Sequence, residues 1–576
     1  MSQTKRTKLE LTWIGKENRP KLEPRILLED QAKSYHAPHR VTDHDLFDNL
    51  LIFGDNLLAL KALEQEFTGK IKCIYIDPPF NTKQAFEHYD DTVEHSIWLS
   101  LMRDRLDLLR RLLSSDGTLF VHIDDNELGY LIVLLDELFG RDNRLYIVTF
   151  KQGSATGHKA INPGCVSTTN FLVIYAKEKS SWTTNRVFTA RERDDRYGQF
   201  IENIEETYTT WRITTLMKAF ANARRIAEKE ARALVKSNPG ALDDFVVEQA
   251  RSVVQLARPN YEGVSAEART LIDRSQTEPE TIFRLQREGY PDIYLKGGKR
   301  ILFYSDKLKQ IDGKWVAGEP LTTLWDDILS NNLHAEGGVD FPKGKKPEGL
   351  IKRVLELATN SGDWVLDSFA GSGTTGAVAH KMSRHWIMVE LGEHCHTHII
   401  PRLKKVIDGQ DPGGITEAAG WKGGGGFRYY RLAPSLLEKD KWGNWVINKS
   451  YNPTMLTEAV CKLEGFMYAP SDTIYWQHGH STERDFIYVT TQNLSHDQMQ
   501  ALSDEVGESH SLLVMCAAFR GKPDRFPNLT IKKIPKAVLS RCEWGKDDYS
   551  LKVENLPKAP PEPGQQALAL DPEEDR

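Results

Sequence analysis

"WVLDSFAGSGTTGAVAH", residues 364–380, joins an apolar run to a glycine-rich turn and then to a small-residue helical segment. Gly371, Gly373 and Gly376 fall in the order GxGxxG, after a strand and at the opening of a helix, which is the context that gives the pattern meaning. Ala377 stands where an ATP-binding P-loop has its lysine, which disfavours that site. A dinucleotide site competes better, because Glu390 ends the next strand, 19 residues after Gly371, where an acidic group holds ribose hydroxyls. Asp367 separates the readings. A pyrophosphate needs helix N–H groups and no adjacent anion. S-adenosylmethionine carries an ammonium and a sulfonium and no phosphate, so a carboxylate beside the loop favours it. A glycine turn serving only tight strand-to-helix packing is the third alternative.

Upstream, the same strand–turn–helix rhythm repeats from about residue 47 to 180. "LLIFGDNLLALKAL" reads as a strand to Phe53, a turn and a helix; "IKCIYIDPPF", "GTLFVHID" and "TNFLVIYAK" read as further strands, with helices between them. This alternation predicts a parallel α/β sheet covered by helices on both faces. It breaks between about 183 and 340. Leu216 to Ala257 has helical spacing, and residues 283–310 interleave aromatics with seven Lys/Arg against three Asp/Glu. Such an insert suits either a solvated surface or phosphate contact. The rhythm resumes with "PEGLIKRVLELAT", "DWVLD" and "HWIMVEL". The expected domains are an N-terminal arm (1–40), a catalytic half (41–182), an insert (183–335), a cofactor half (336–432), a C-terminal domain (436–556) and a Pro-rich acidic tail (557–576) that should be disordered.

A chain of 576 residues exceeds one ordinary domain. Its net charge of −6 gives no global case for nucleic-acid binding, so that case rests on local patches. The six cysteines are scattered without a CxxC pair, which suits a reducing cytoplasm. No apolar run is long enough for a membrane span, and the first residues lack a signal peptide's apolar stretch.

"KCIYIDPPFNT", residues 72–82, ends a buried-looking strand in Asp77, Pro78 and Pro79. Proline has no N–H, so this tip offers a carboxylate and carbonyls but few donors. It suits an amino group. The exocyclic amine of a base is a poor nucleophile because its lone pair is delocalised. Accepting both its hydrogens, with the Asp77 carboxylate and the Pro78 carbonyl, draws the nitrogen toward tetrahedral geometry. Phe80 would stack on a base extruded from the duplex. No cysteine follows a proline, so the nucleophile of a cytosine-C5 methyltransferase is missing.

Together these motifs resemble the amino-group DNA methyltransferases of the β arrangement, in which a DPP(Y/F) motif precedes the inserted recognition domain and an FxGxG motif follows it. Here those are Asp77–Phe80 and Phe369–Gly373. "FGDNLLALKAL" resembles the family's GDxL segment, which implies Asp55 and Asn56 near the cofactor. "FPKGKKPEGLIKRVLELAT" resembles its KPxxL helix, which implies Lys346 and Pro347 at the methionine end. The resemblance further implies Asp367, Phe369, Gly371, Gly373, Thr374 and Glu390 as cofactor residues, and a circularly permuted class I methyltransferase sheet. "IDPPFNT", "FVHIDDNE" and "GGGFRYYRL" bring the chain closest to modification subunits of Type III restriction-modification systems. That implies double-stranded DNA as substrate, adenine N6 rather than cytosine N4 as acceptor, a homodimer, and a nuclease-helicase partner. A non-catalytic recognition subunit is the alternative of a different class.

Two signals point elsewhere. His394 and His398 sit one helical turn apart beside Cys395 and His396, but no further ligand pattern accompanies them, so no metal is expected. His122, with Asp124 and Asp125, reads as a strand-end residue near the cleft more readily than as a relay.

Overall fold

A computed structural model of the chain describes residues 10–79, 91–153, 165–328, 333–339, 341, 345–411 and 413–550. They form two compact units, one of residues 1–185 and 323–576, the other Arg186–Thr322.

The first unit is built on an eleven-stranded mixed sheet. Its central strands are β1 (Asn49–Phe53), β2 (Ile71–Ile76), β3 (Leu113–Ile123), β4 (Arg144–Lys151), β5 (Thr169–Ala176), β6 (Trp364–Asp367) and β7 (His385–Glu390). They lie in the order β1-β7-β6-β2-β3-β5-β4. The first five run parallel. Strand β5 is antiparallel to both its neighbours, so the expected all-parallel sheet is a mixed one. The reason lies in β4, which the sequence reading missed. "RLYIVTFK" leaves Tyr146 and Ile147 exposed near the sheet edge, and β4 pairs antiparallel with β5, its neighbour in sequence.

Helices cover the sheet: α1 (Asn56–Phe67), α2 (Asp91–Leu112), α3 (Leu128–Leu135), α4 (Glu348–Ala358), α5 (Thr374–Lys381) and α6 (Ile400–Ile407). Helix α1 starts where the Asp55 carboxylate accepts the N–H groups of Leu57 and Leu58, satisfying donors that a helix start leaves without partners. Its Leu57, Leu60, Leu63 and Phe67 recur at helical spacing and enter the main core, where they meet Trp98, Met102, Leu106 and Leu109 of α2. Strand β2 is buried from Cys73 to Ile76, as expected of an apolar run between parallel neighbours. The carboxyl ends of β1, β7, β6 and β2 therefore share one edge, and Asp55, Glu390, the glycine turn and Asp77 follow those ends in turn.

Strand Gly426–Leu432 extends the sheet beside β1. Beyond it, a five-stranded sheet from Met467 to Lys533 packs with helices Pro453–Glu464 and His496–Val506. The second unit holds a six-stranded antiparallel sheet from Gln199 to Phe303 with four helices. The stretch read as helical to Ala257 turns at Glu248, and the β-branched Val253–Ala257 joins that sheet. Among the described residues, no helix is long and apolar enough to cross a membrane.

Candidate active site

Asp77 follows β2 directly, at the centre of the carboxyl edge. Its Oδ2 lies 2.6 Å from Lys346 Nζ. Its Oδ1 is buried and, among the described residues, accepts no hydrogen bond. Nδ1 of His122, on β3, approaches that oxygen at 3.5 Å, but the Tyr75 hydroxyl is nearer to the same nitrogen, at 3.0 Å. Asn170 Nδ2 sits 2.9 Å from the other ring nitrogen. Burial holds His122 well below the usual imidazole range, so the ring is neutral and its approach to Asp77 is dipolar rather than an ion pair. Burial also raises the Asp77 carboxyl above its ordinary value, and Lys346 opposes that rise. The Pro79 carbonyl accepts the indole N–H of Trp98 at 2.9 Å, which fixes the backbone after the tip.

The glycine turn lies two strands from Asp55 and next to Asp77. Gly371 has φ +53°, and a Cβ there would meet nothing nearer than 3.9 Å. Gly373 has φ +76°, and a Cβ there would reach 3.0 Å from Ile399. Gly371 thus keeps a left-handed turn beside open space, and Gly373 lets the turn pack on the helix behind it. Glu390 at the end of β7 accepts the N–H of Gly371 at 2.8 Å and of Gly392 at 2.9 Å. His394 Nε2 adds a contact at 3.0 Å. A carboxylate has about four lone-pair sites, so with these three contacts Glu390 keeps about one site for a ligand hydroxyl.

Asp367 faces away from the open side. Its carboxylate accepts from Phe369 N at 2.9 Å and Thr375 Oγ1 at 2.5 Å, and burial pushes it up to about 7. Behind the turn, the buried Arg402 donates to Ser372 O and Thr374 Oγ1 and pairs with Glu348 at 2.8 Å. Glu348 and Asp411 both pair with the fully buried Lys381 at 2.8 Å.

One cavity of about 430 Å³ runs along this edge. Of the residues singled out from sequence, Asp55, Asn56, Asp77, Pro78, Pro79, Lys346, Phe369, Gly371 and Glu390 line it. Pro347, Asp367, Gly373 and Thr374 do not; they support the walls. Phe80 lies outside the described residues. The sequence reading missed Arg105 and Ser550, which also line the cavity. Arg105 sits on a charged helix, where an arginine reads as a solvated face. Instead it is buried, bonded to Asn56 Oδ1 at 2.5 Å and 3.5 Å from Asp55. Three carboxylates (Asp55, Asp77, Glu390) line the cavity beside two cations (Arg105, Lys346) and His394, whose imidazole the hydrogen bond to Glu390 holds above its usual range. Among the described residues no cluster could hold a metal, and His394 is spent on Glu390 and on the Phe341 ring.

A strand-end carboxylate in a donor-poor tip thus shares one cavity with a glycine turn and a strand-end glutamate. The N6/N4 DNA methylase model matches residues 71–401, from β2 through that turn and into α6. The chain belongs to the N6/N4 DNA methylase family. It is 36% identical over 420 residues to the probable type III restriction-modification enzyme HindVI Mod subunit of Haemophilus influenzae, covering 69% of this chain and 55% of that one. It is 27% identical over 415 residues to the EcoPI Mod subunit of Escherichia phage P1, covering 64% and 60%. The chain thus spans little more than half the length of these two relatives. A putative DNA modification methylase from Thermus thermophilus, solved with S-adenosyl-L-methionine, aligns over 63% of this chain and 95% of its own at 13% identity and a TM-score of 0.30. In this methylase the family match begins at β2 and stops short of the strand Gly426–Leu432, so the C-terminal sheet lies outside it.

Proposed function

We propose that this protein is an S-adenosylmethionine-dependent DNA methyltransferase that modifies adenine N6 in double-stranded DNA, as the modification subunit of a Type III restriction-modification system. The observation that carries the proposal is the Asp77 carboxylate at the end of β2, in the same cavity as Gly371 and Glu390. The cavity suits the cofactor. Its volume is in the range of small-molecule sites, Glu390 retains about one acceptor site for a ribose hydroxyl, and the Asp55, Asp77 and Glu390 carboxylates suit a sulfonium.

When bound, S-adenosylmethionine supplies a methyl group activated by its sulfonium. Glu390 orients the ribose, Gly371 leaves room for it, and Asp55, Asn56 and Phe369 form the walls. Lys346 and Pro347 flank the methionine end. Asp367, Gly373 and Thr374 act through the turn they brace. The Asp77 carboxylate and the Pro78 carbonyl would accept the two hydrogens of the target amine, and Phe80 would stack on the extruded base. The amine lone pair would form the N–C bond as the S–CH3 bond breaks and its electron pair returns to the sulfur; one amine proton would pass to the Asp77 carboxylate and on to solvent, and the other would stay on the nitrogen, held by the Pro78 carbonyl.

The strand order supports a circularly permuted class I methyltransferase sheet, with cofactor strand β6 following catalytic strand β2 in the chain. In this reading residues 41–182 and 336–432 form the enzyme and 183–335 recognise the target. Residues 436–556 serve self-association as a homodimer or contact with a nuclease-helicase subunit. Such an enzyme works where the DNA is, in the cytoplasm. The family model embraces both N6 and N4 amines, so cytosine N4 is the second reading. Mass spectrometry of nucleosides from DNA treated with the protein and S-adenosylmethionine separates them: N6-methyladenine is expected, N4-methylcytosine would move the activity to the second reading, and neither would overturn both.

A further inference from the structure

The segment Gly545–Ser550 lies about 145 residues beyond the end of the family match, yet it returns to the cavity. It is tied down along its length. Gly545 N–H donates to Ser435 Oγ at 2.9 Å. The buried Arg25 donates to Lys546 O at 3.2 Å and to Asp547 at 2.6 Å. Tyr549 N–H donates to Asp55 Oδ2 at 2.9 Å, Arg105 Nη2 donates to Tyr549 O at 3.2 Å, and the Tyr549 side chain packs on the main core. Ser550 then lines both the 430 Å³ cavity and an adjoining one of about 310 Å³, whose walls include Ile14, Asp104 and Lys546. Arg105, Leu101 and Ser550 are common to the two.

The position of this strap along the sheet edge assigns what it touches. From Asp55 after β1 to Asp77 after β2 there are three strand spacings, with β7 and β6 between, or about 14 Å at ~4.8 Å each. Glu390 ends β7, one spacing from Asp55. A ligand whose ribose is held by Glu390 and whose methyl group reaches Asp77 must point its nucleobase toward Asp55. That is the end where Tyr549 N–H holds Asp55 and Ser550 lines the cavity. Asp55 itself is occupied, capping α1 through Oδ1 and holding Tyr549 through Oδ2.

We propose that the strap Gly545–Ser550 is part of the cofactor site and closes its nucleobase end, so that the adenine ring of S-adenosylmethionine packs against Ser550 and the Tyr549–Ser550 peptide. The inference rests on the cofactor reading above. It makes cofactor binding depend on a segment outside the family's catalytic core, anchored by the N-terminal arm through Arg25.

The test is calorimetric titration of the full chain with S-adenosylmethionine, together with hydrogen exchange of amides 545–550. In wild type, saturating S-adenosylmethionine should slow exchange of those amides. Ser550→Trp, which fills the nucleobase end, should weaken binding by about tenfold or more, while duplex DNA binding and the melting temperature without cofactor stay at wild-type values. If wild type binds the cofactor with no change in exchange at 545–550, and Ser550→Trp binds equally well, the strap inference is overturned and the proposed function stands. If wild type does not bind S-adenosylmethionine, the cofactor reading itself fails.

Discussion

Replacing Lys346 with Met removes the cation 2.6 Å from Asp77 Oδ2 and leaves the rest of the tip in place. At an effective dielectric of about 20 the gross attraction at that distance is roughly 6 kcal/mol, an upper bound because the lysine also loses hydration. Opposite charges this close typically displace a carboxyl by about 1–3 pH units. Lys346 holds the Asp77 carboxyl down against burial, which pushes it up, so the substitution must move it up. Asp77 has to be ionised to accept the amine hydrogen, and activity is lost as pH falls through its titration. The acid limb of methyl transfer should therefore shift to higher pH by about 1–3 units. The assay is transfer of a tritiated methyl group to duplex DNA across the pH range, at saturating S-adenosylmethionine so that weakened cofactor binding does not contribute. An acid limb that stays put or moves to lower pH would refute the electrostatic coupling of Lys346 to Asp77.

The remaining predictions concern the support behind the site. Lys381→Met leaves the buried Asp411 without a cation, while Glu348 keeps Arg402, and should cost about 3–5 kcal/mol in urea unfolding; a cost under about 1 kcal/mol would mean the Lys381–Asp411 pair is solvated. Gly371→Ala and Gly373→Ala each impose a left-handed turn on a side chain, at about 1–2 kcal/mol, but only the second also meets Ile399. Gly373→Ala should thus unfold at lower urea than Gly371→Ala, and the reverse order would contradict the packing described. Asp367 titrates near 7 in the folded chain against an ordinary 3.8, so between those values the folded state holds a proton that the unfolded state has lost, and this carboxyl makes stability fall as pH rises. Asp367→Asn should flatten that part of the urea-midpoint profile, and an unchanged slope would show that the carboxyl does not titrate there.

The parts of the fold legible in the sequence are those in which a local pattern has one physical reading. Cys73–Ile76 could only be an interior strand of this length, and Gly371 and Gly373 between a strand and a helix mark a tight turn, so the Asp77 tip and the glycine loop could both be placed. Direction was harder to read: Asp367 sits beside the loop in sequence, but its carboxylate turns inward to Phe369 and Thr375. The carboxylates that line the cavity are Asp55, Asp77 and Glu390 instead. His122 carried a signal, a lone histidine at a strand end, yet its approach to Asp77 depends on β2 and β3 being neighbours. Arg105 and Ser550 carried none, because their position depends on a helix face and on a chain return across hundreds of residues. Strand β4 was hidden because two adjacent apolar residues, Tyr146 and Ile147, both lie outside, so no alternation marks it.

The account stands on Asp77 as the group that receives the target amine. The most direct measurement is methyl transfer and S-adenosylmethionine affinity on one preparation of Asp77→Ala, beside wild type, with the modified base identified. The predicted result is transfer to adenine N6 reduced on the order of a hundredfold or more, with cofactor affinity within a few-fold of wild type because Glu390 and Gly371 are untouched. Transfer retained at the wild-type rate would contradict the account.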